Sequence, residues 1–423
     1  MQLNGARSST WPSLGRVGRA RRIASAAAAF VAITTLAPSP RSEVVSFGTQ
    51  NTYYHEGTPY GKMTVFNPSA DLGAKPWEFL KIRAGWQADV VSGASIKTRN
   101  AQRGQNPDAI STASVKDLRQ VLSGGIALNR KYTSLEAGYA YSWENDYRSH
   151  SFDVTAKAEL LQRSMELSVA YARNWDEVCD RIQVDPDPSR RSALATHDGC
   201  FKADSKLTTT HPIVIDAIQG GWTQAWTPTF TTQVTAGVQL MNGFLSNPYR
   251  EVNIGVASPV QEHIPDIRIR YAAGARANFY IKPIKTALRI GTRIYRDTWD
   301  IKAFTVELEA ERYILLDALR LRLRGRLYRQ GHAVFYSDDY LVQPRGAYWT
   351  GDRELSQMQS ILAGLRLLYG PSAGQKKWLG LLEKVEVSIG ADMVFFKYDD
   401  FTINGDPLKK TAIIATLGLT LLF

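Results

Sequence analysis

From Trp77 to its last residue the chain alternates apolar and polar side chains with period two, in segments longer than an ordinary strand. In Trp77–Val91, Leu80, Ile82, Ala84, Trp86, Ala88 and Val90 oppose Lys81, Arg83, Gly85, Gln87 and Asp89. In Thr133–Glu144, Leu135, Ala137, Tyr139, Tyr141 and Trp143 oppose Ser134, Glu136, Gly138, Ser142 and Glu144. A strand sends successive side chains to opposite faces, so each segment carries one apolar and one polar face. Globular strands average about five or six residues, whereas a tilted strand needs about nine to eleven to cross a bilayer. Segments of roughly ten to fourteen residues therefore predict membrane-crossing strands rather than a soluble sandwich.

The polar faces of four consecutive segments carry a pattern of charge. Arg268, Arg270 and Arg276 lie on the first, and Arg289 and Arg293 on the second. Glu307, Glu309 and Glu311 lie on the third, and Arg320, Arg322, Arg324 and Arg326 on the fourth. Hairpin connections make sequence neighbours spatial neighbours, and opposite charges facing across strands attract. A solvated sheet face with salt bridges would also alternate. The uniformly apolar opposite face favours an inward wall of Arg–Glu–Arg ladders lining a lumen, with lipid outside.

The last segment alternates through Thr411, Ile413, Ala415, Leu417, Leu419 and Leu421 to a terminal Phe423. Such an ending resembles the assembly signal of bacterial outer-membrane barrels, which makes the barrel-assembly machinery an expected partner. The sheet must also close, because lipid cannot satisfy an open edge. At the other end Arg7, Arg16, Arg19, Arg21 and Arg22 precede the apolar run Ile23–Ala37, too short to span a bilayer as a helix. Residues 1–37 read as an export signal, and the expected location is the bacterial outer membrane. Without the five leader arginines the formal charge falls from +11 to about +6, and the remaining basic residues are countered by Glu307, Glu309 and Glu311. Nucleic-acid binding is not expected. A composition 44% hydrophobic and 10% aromatic excludes a disordered chain, and two cysteines exclude a disulfide-built miniprotein.

Fourteen strands are placed from Glu78 onward, joined alternately by short turns and longer loops. Val44–Tyr54 and Tyr60–Asn67 look like a further hairpin, giving sixteen strands; fourteen with an N-terminal plug is the alternative. Residues 38–423 then form one closed antiparallel all-β barrel with long extracellular loops at 92–116, 176–206, 242–265 and 331–354, and a further long connection at 399–409. The segment 212–226 is the weakest strand, interrupted by Pro212, Asp216 and Gly220-Gly221. Aromatic side chains such as Tyr139, Trp175 and Trp226 fall near strand ends, where interfacial girdles belong.

Four short stretches carry a family resemblance: Val91-Ser92-Gly93-Ala94-Ser95, Gly243–Arg250, Tyr295–Asp300 and Asp352–Ser356. Their ordered set resembles a family of bacterial outer-membrane proteins defined by a domain of unknown function. Ile96 departs from the family's frequent proline, and the cysteine-bearing loop at 176–206 is a second departure. The resemblance implies an outer-membrane barrel with no established activity. Members accompany flavin-attachment and thioredoxin-like proteins, which implies envelope redox partners, but no residue here carries that link.

Cys179 and Cys200 share one long loop of a chain expected to be exported, so a disulfide is expected, worth about 3 kcal/mol in the chain-entropy model. A redox pair or metal site is the weaker reading, with only His197 beside them and no Cys-x-x-Cys. Asp89, Ser92, Asn247, Asp297, Asp300, Asp352 and Glu354 collect at strand-to-loop junctions and are expected on the extracellular rim. Rim carboxylates suit a hard cation, but Asp and Asn more often hold turns, and the metal question stays open. No Gly-x-Ser-x-Gly, His-Glu-x-x-His or phosphate-loop motif is present; neither an enzyme nor a cofactor is expected. The sequence thus predicts a small-solute channel or binding barrel with an Arg/Glu lumen, or an occluded barrel that anchors partners.

Overall fold

A computed structural model describes residues 44–58, 61–93, 96–98, 109–111, 117–194, 200–201, 207–254, 259–315, 318–340, 346–371, 382–403 and 405–423. The expected export signal lies outside the described residues. Sixteen strands form one closed antiparallel barrel. They are β1 (Val44–Thr58), β2 (Gly61–Trp77), β3 (Leu80–Gly93), β4 (Asp117–Asn129), β5 (Thr133–Trp143), β6 (Tyr147–Leu160), β7 (Met165–Arg181) and β8 (Thr208–Thr227). β9 (Phe230–Gly243), β10 (Ile267–Ile281), β11 (Thr286–Asp297), β12 (Lys302–Leu315), β13 (Leu319–Gln330), β14 (Met358–Tyr369), β15 (Lys384–Ile403) and β16 (Asp406–Leu422) complete it.

The ring closes where β1 pairs with β16, from Ser46 opposite Leu422 to Gly57 opposite Thr411. The N-terminal hairpin is therefore wall, and the alternative of fourteen strands with a plug is set aside. Lipid offers no partner to an edge strand, so β1 supplies the pairing that β16 needs. No helix among the described residues is long and apolar enough to cross a membrane.

Alternation becomes inside and outside. On β15, Ile389, Met393 and Phe395 are exposed on the outer face, whereas Asp392, Val394, Phe396 and Tyr398 are buried inside. The outer face is the one a transmembrane barrel turns to lipid, and Trp175 and Trp226 stand on it.

Three stretches differ from the sequence expectation. The 399–409 connection is strand: β15 runs to Ile403 and β16 starts at Asp406. Its acids read as loop residues, yet Asp399 is paired with Lys397 at 2.6 Å and Asp400 with His332 at 2.9 Å. Gly405, at φ +86°, makes the turn. The expected loop at 176–206 begins later, because β7 runs to Arg181 and carries Cys179 within a strand. The segment expected to be weak is a 20-residue strand, β8. Pro212 is tolerated because its carbonyl accepts from Phe244 N–H at 3.3 Å, and β8–β9 pairing starts only at Ile213. The N–H and C=O of a strand residue point the same way, so the missing donor faces beyond the end of that ladder. Asp216 is held on the outer face by Tyr171, whose hydroxyl donates to it at 2.6 Å.

One end of the barrel carries the start of β1, the end of β16 and short turns such as Pro228-Thr229; the other carries the described stretches 244–254, 259–266, 331–340 and 346–357. Those segments fold inward. Ile264, Trp299, Ala333, Tyr336 and Leu355 pack with the inward Met358, Leu362, Val394, Tyr398 and Ala412 in one buried apolar cluster. This core lies inside the long-loop end of the ring.

The face assignment has a direct test. Leu308, 53% exposed on the outer face, is replaced by arginine. Near mid-bilayer an outward Arg costs about 2–4 kcal/mol. Unfolding from lipid vesicles should show a loss of that size, and a change near zero would place Leu308 away from lipid.

Candidate functional site

The inner face of β10–β15 carries the charged wall. Arg289 pairs with Glu309 and lies 3.5 Å from Glu311. Arg322 reaches Glu311 at 2.5 Å and Glu309 at 3.4 Å. These contacts join direct neighbours in register, Arg289 with Glu309 and Glu311 with Arg322. Two further pairs skip a strand. Arg320 bonds Glu386 at 2.7 Å, and Arg324 bonds Asp392 through Nε at 2.8 Å, both from β13 to β15 over β14. Gly364 lies beneath the second pair; a Cβ there would overlap the Asp392 carboxylate. Glycine is required because the two side chains lie flat along the wall.

The remaining arginines differ. Arg268 is buried against Asp297, its guanidinium 4.0 Å from the Trp299 ring centroid. Arg270 gives Nη1 to Gln239 at 3.1 Å while its Nε is buried without an acceptor. Arg326 faces Glu307 in register, but its Nε and Nη2 find no acceptor. Among the described residues, Arg276 and Arg293 have no acid within ion-pair distance. Each stands opposite a glycine, Gly291 and Gly274 respectively, so the strand across leaves room for the guanidinium.

Above this wall the described residues of the two long segments form a strap across the barrel mouth. Tyr249 donates to Asp146, in the turn between β5 and β6. Gln261 Nε2 donates to Asp180 of β7 at 2.6 Å. His263 and Trp349 exchange backbone hydrogen bonds of 3.1 and 2.7 Å, joining the two segments. Arg250 bridges them again, at 2.9 Å from Glu262 and 3.0 Å from Asp352. The next residue, Arg353, reaches Glu56 of β1 at 2.8 Å, and Lys410 of β16 closes on the same carboxylate at 2.9 Å. The strap thus runs from β5–β7 to the seam of the barrel.

Burial alone would lower the pKa of Arg250 and Arg353. For Arg250, Asp352 and Glu262 outweigh it; for Arg353, Glu56 leads; both guanidiniums are held charged beyond their usual range. Burial, then Arg191, pushes His263 below its usual value, against the opposing pull of Asp266. Burial raises the Tyr336 and Tyr340 hydroxyls; the latter donates to Phe335 O at 2.6 Å.

The residues expected at the rim are placed as follows. Asp297 is 3% exposed and Asp89 4%, the latter hydrogen-bonded to Asn67. Asn247 accepts from Tyr249 N–H at 2.9 Å and donates its own N–H to Glu262 at 2.6 Å. Asp352 caps the turn at Arg353–Leu355 through Glu354 N–H, and Glu354 accepts from Tyr398 at 3.1 Å. Asp300 is exposed beside Lys302, with φ +64°. Ser92 lies on β3, its side chain outside the described set. Asn247, Asp352 and Glu354 are thus internal fasteners of the strap, whereas Asp89 and Asp297 are buried at the ends of wall strands. No three His, Cys, Asp or Glu converge as a metal site among the described residues. Cys179 and Cys200 are bonded to each other, with Cα atoms 5.5 Å apart. Sequence reasoning missed Glu56, Lys410, Glu262, Glu386 and Asp392. The signal for the strand residues was inward parity; Glu262 offered none.

A family model described as "Protein of unknown function (DUF3570)" matches residues 20–376. The chain belongs to that family. No curated protein matches it. Solved structures similar to this member include a bacterial polysaccharide outer membrane secretin, at 10% identity and TM-score 0.47, with 90% of this chain and 98% of that one covered. Pseudomonas aeruginosa OccD3 (OpdP) aligns at 9% identity and TM-score 0.43 over 90% of this chain and 91% of its own. Pseudomonas aeruginosa OccK2 (OpdF) does so at 10% and 0.41 over 90% and 98%.

Two outcomes follow for this family member. Gly364→Ala should disrupt the Arg324–Asp392 pair, so its melting-temperature loss and that of Arg324→Gln should be strongly non-additive; additive losses would break the assignment. Arg353→Met leaves Glu56 short of one buried partner, a defect of about 3–5 kcal/mol for a broken buried pair. Limited proteolysis should then cut within 331–357 several-fold faster than in the parent, with the barrel still heat-modifiable on gels.

Proposed function

We propose that this protein resides in the outer membrane of a Gram-negative cell as a non-enzymatic barrel that admits small anionic solutes to an arginine-rich lumen. On this reading the long-loop end faces outward, and the barrel assembles from β16, ending in Phe423, whose N–H donates to Val45 O at 2.9 Å. The observation that carries it is the imbalance of the wall. Arg289, Arg320, Arg322 and Arg324 are matched by Glu309, Glu311, Glu386 and Asp392. Arg276 and Arg293 are left exposed with no acid within ion-pair distance among the described residues, and a lumen lined by unmatched cations draws anions.

Paired arginines contribute little net field, so Arg322 and Arg324 are weaker targets than Arg276 and Arg293. In planar bilayers the refolded protein should conduct in discrete steps, with a reversal potential on the anion side. Arg276→Glu with Arg293→Glu should move that potential toward cations. Unchanged selectivity would reject the reading.

The strap favours a second reading, an occluded barrel whose capped end is a platform for partners. Envelope redox proteins, implied by the family resemblance, are the partners to test by pull-down from intact envelopes. A folded but silent barrel that conducts after Arg353→Met would support a cap as the block.

A further inference from the structure

We infer that the wall of β9–β13 holds a binding site for a small hydroxylated oxyanion, a carboxylate or phosphate, centred on Arg276. The inference rests on the anionic reading of the lumen but not on the pore being open. The site is a lumenal recess of about 630 Å³ whose lining includes Gln233, Arg276, Asn278, Tyr280, Arg289 and Glu309.

Its chemistry divides in two. The base is already neutral: Arg289 and Arg322 are both satisfied by Glu309 and Glu311 and form a fixed edge. The opposite side is not satisfied from within. Arg276 is exposed and has no acid within ion-pair distance among the described residues. It faces Gly291, where a Cβ would stand 4.0 Å from its Nε, so the guanidinium lies low over the neighbouring strand. Arg293 sits two residues along that strand, adding a second positive charge diagonally above.

Around this cation the donors and acceptors are uncharged. Gln233 is the register partner of Arg276 on β9, and Asn278 lies one inward position further on, its amide given to Thr231 at 3.0 Å. Tyr280 is exposed at the next inward position. A guanidinium offers parallel N–H groups that match the two oxygens of a carboxylate or phosphate. Amides and a phenol beside it match hydroxyl groups, which a bare halide does not carry. A recess of this make-up selects a compact oxyanion with hydroxyls nearby over chloride.

The test uses the full refolded chain in detergent, with D-gluconate, inorganic phosphate and chloride at equal ionic strength. Calorimetric titration should give saturable binding of gluconate or phosphate and none of chloride. Whichever binds more tightly names the oxyanion. Arg276→Lys keeps the charge but loses the fork, and Arg276→Gln loses both. Affinity should fall in both, by about tenfold or more in the second. Lys81→Gln removes an inward cation on β3 and should leave binding unchanged. Heat-modifiable migration verifies that each variant is folded. No saturable binding overturns the site, and so does an equal loss in Lys81→Gln, which would mean a diffuse potential. An anion-side reversal potential with no saturable binding leaves the channel reading standing and rejects the site. Binding to a non-conducting barrel does the reverse.

Discussion

A sheet in lipid cannot leave a row of backbone groups unpaired, and every other feature of this protein depends on how that demand is met. The answer is the seam between Val44–Thr58 and Asp406–Leu422. Once it closes, alternation acquires a physical meaning, with Leu308 and Ile389 outward and Glu309 and Gly390 inward. The seam also supplies Glu56 and Lys410, one from each closing strand, and these receive the strap through Arg353. Closure and capping therefore meet at one place.

The interior then divides by height. Toward the short-turn end the wall is partly exposed, so the pairs of Arg289, Arg320 and Arg322 each contribute little alone, about 0–1 kcal/mol, and work as a network. At the long-loop end a buried apolar cluster packs inside the ring, and the charges around Glu56 are nearly dry. There a broken pair is expensive, because the remaining charge cannot recover water. The same residue types thus form an exposed network below and fix a loop arrangement above.

Much of the fold was legible from local pattern. Leu288 and Ile290 against Arg289 defined a face, and hairpin order placed Arg289, Glu309 and Arg322 together, because each contact joins sequential strands. Arg320 with Glu386 and Arg324 with Asp392 were not legible. They join β13 to β15 across β14, and the second depends on the missing side chain of Gly364. The 399–409 connection misled, because polar residues such as Asp399 and Asp400 on a strand look like loop. Asp297 and Asp352 were found as notable acids at strand-to-loop junctions, but their burial was not legible, because a residue that packs inward is written like one that projects.

What the sequence by itself determined is the two-faced strand, the number and order of strands, and the closed ring, since period two and short turns act over a few residues. Only the tertiary structure decided which arginines stand without an acid partner among the described residues and that the segments around Arg250 and Arg353 are tied across the mouth. Those outcomes depend on side chains meeting over intervening strands and on Arg353 reaching Glu56, 297 positions earlier in the chain. Such meetings are set by the curvature of a closed wall around a limited interior, which no local spacing encodes.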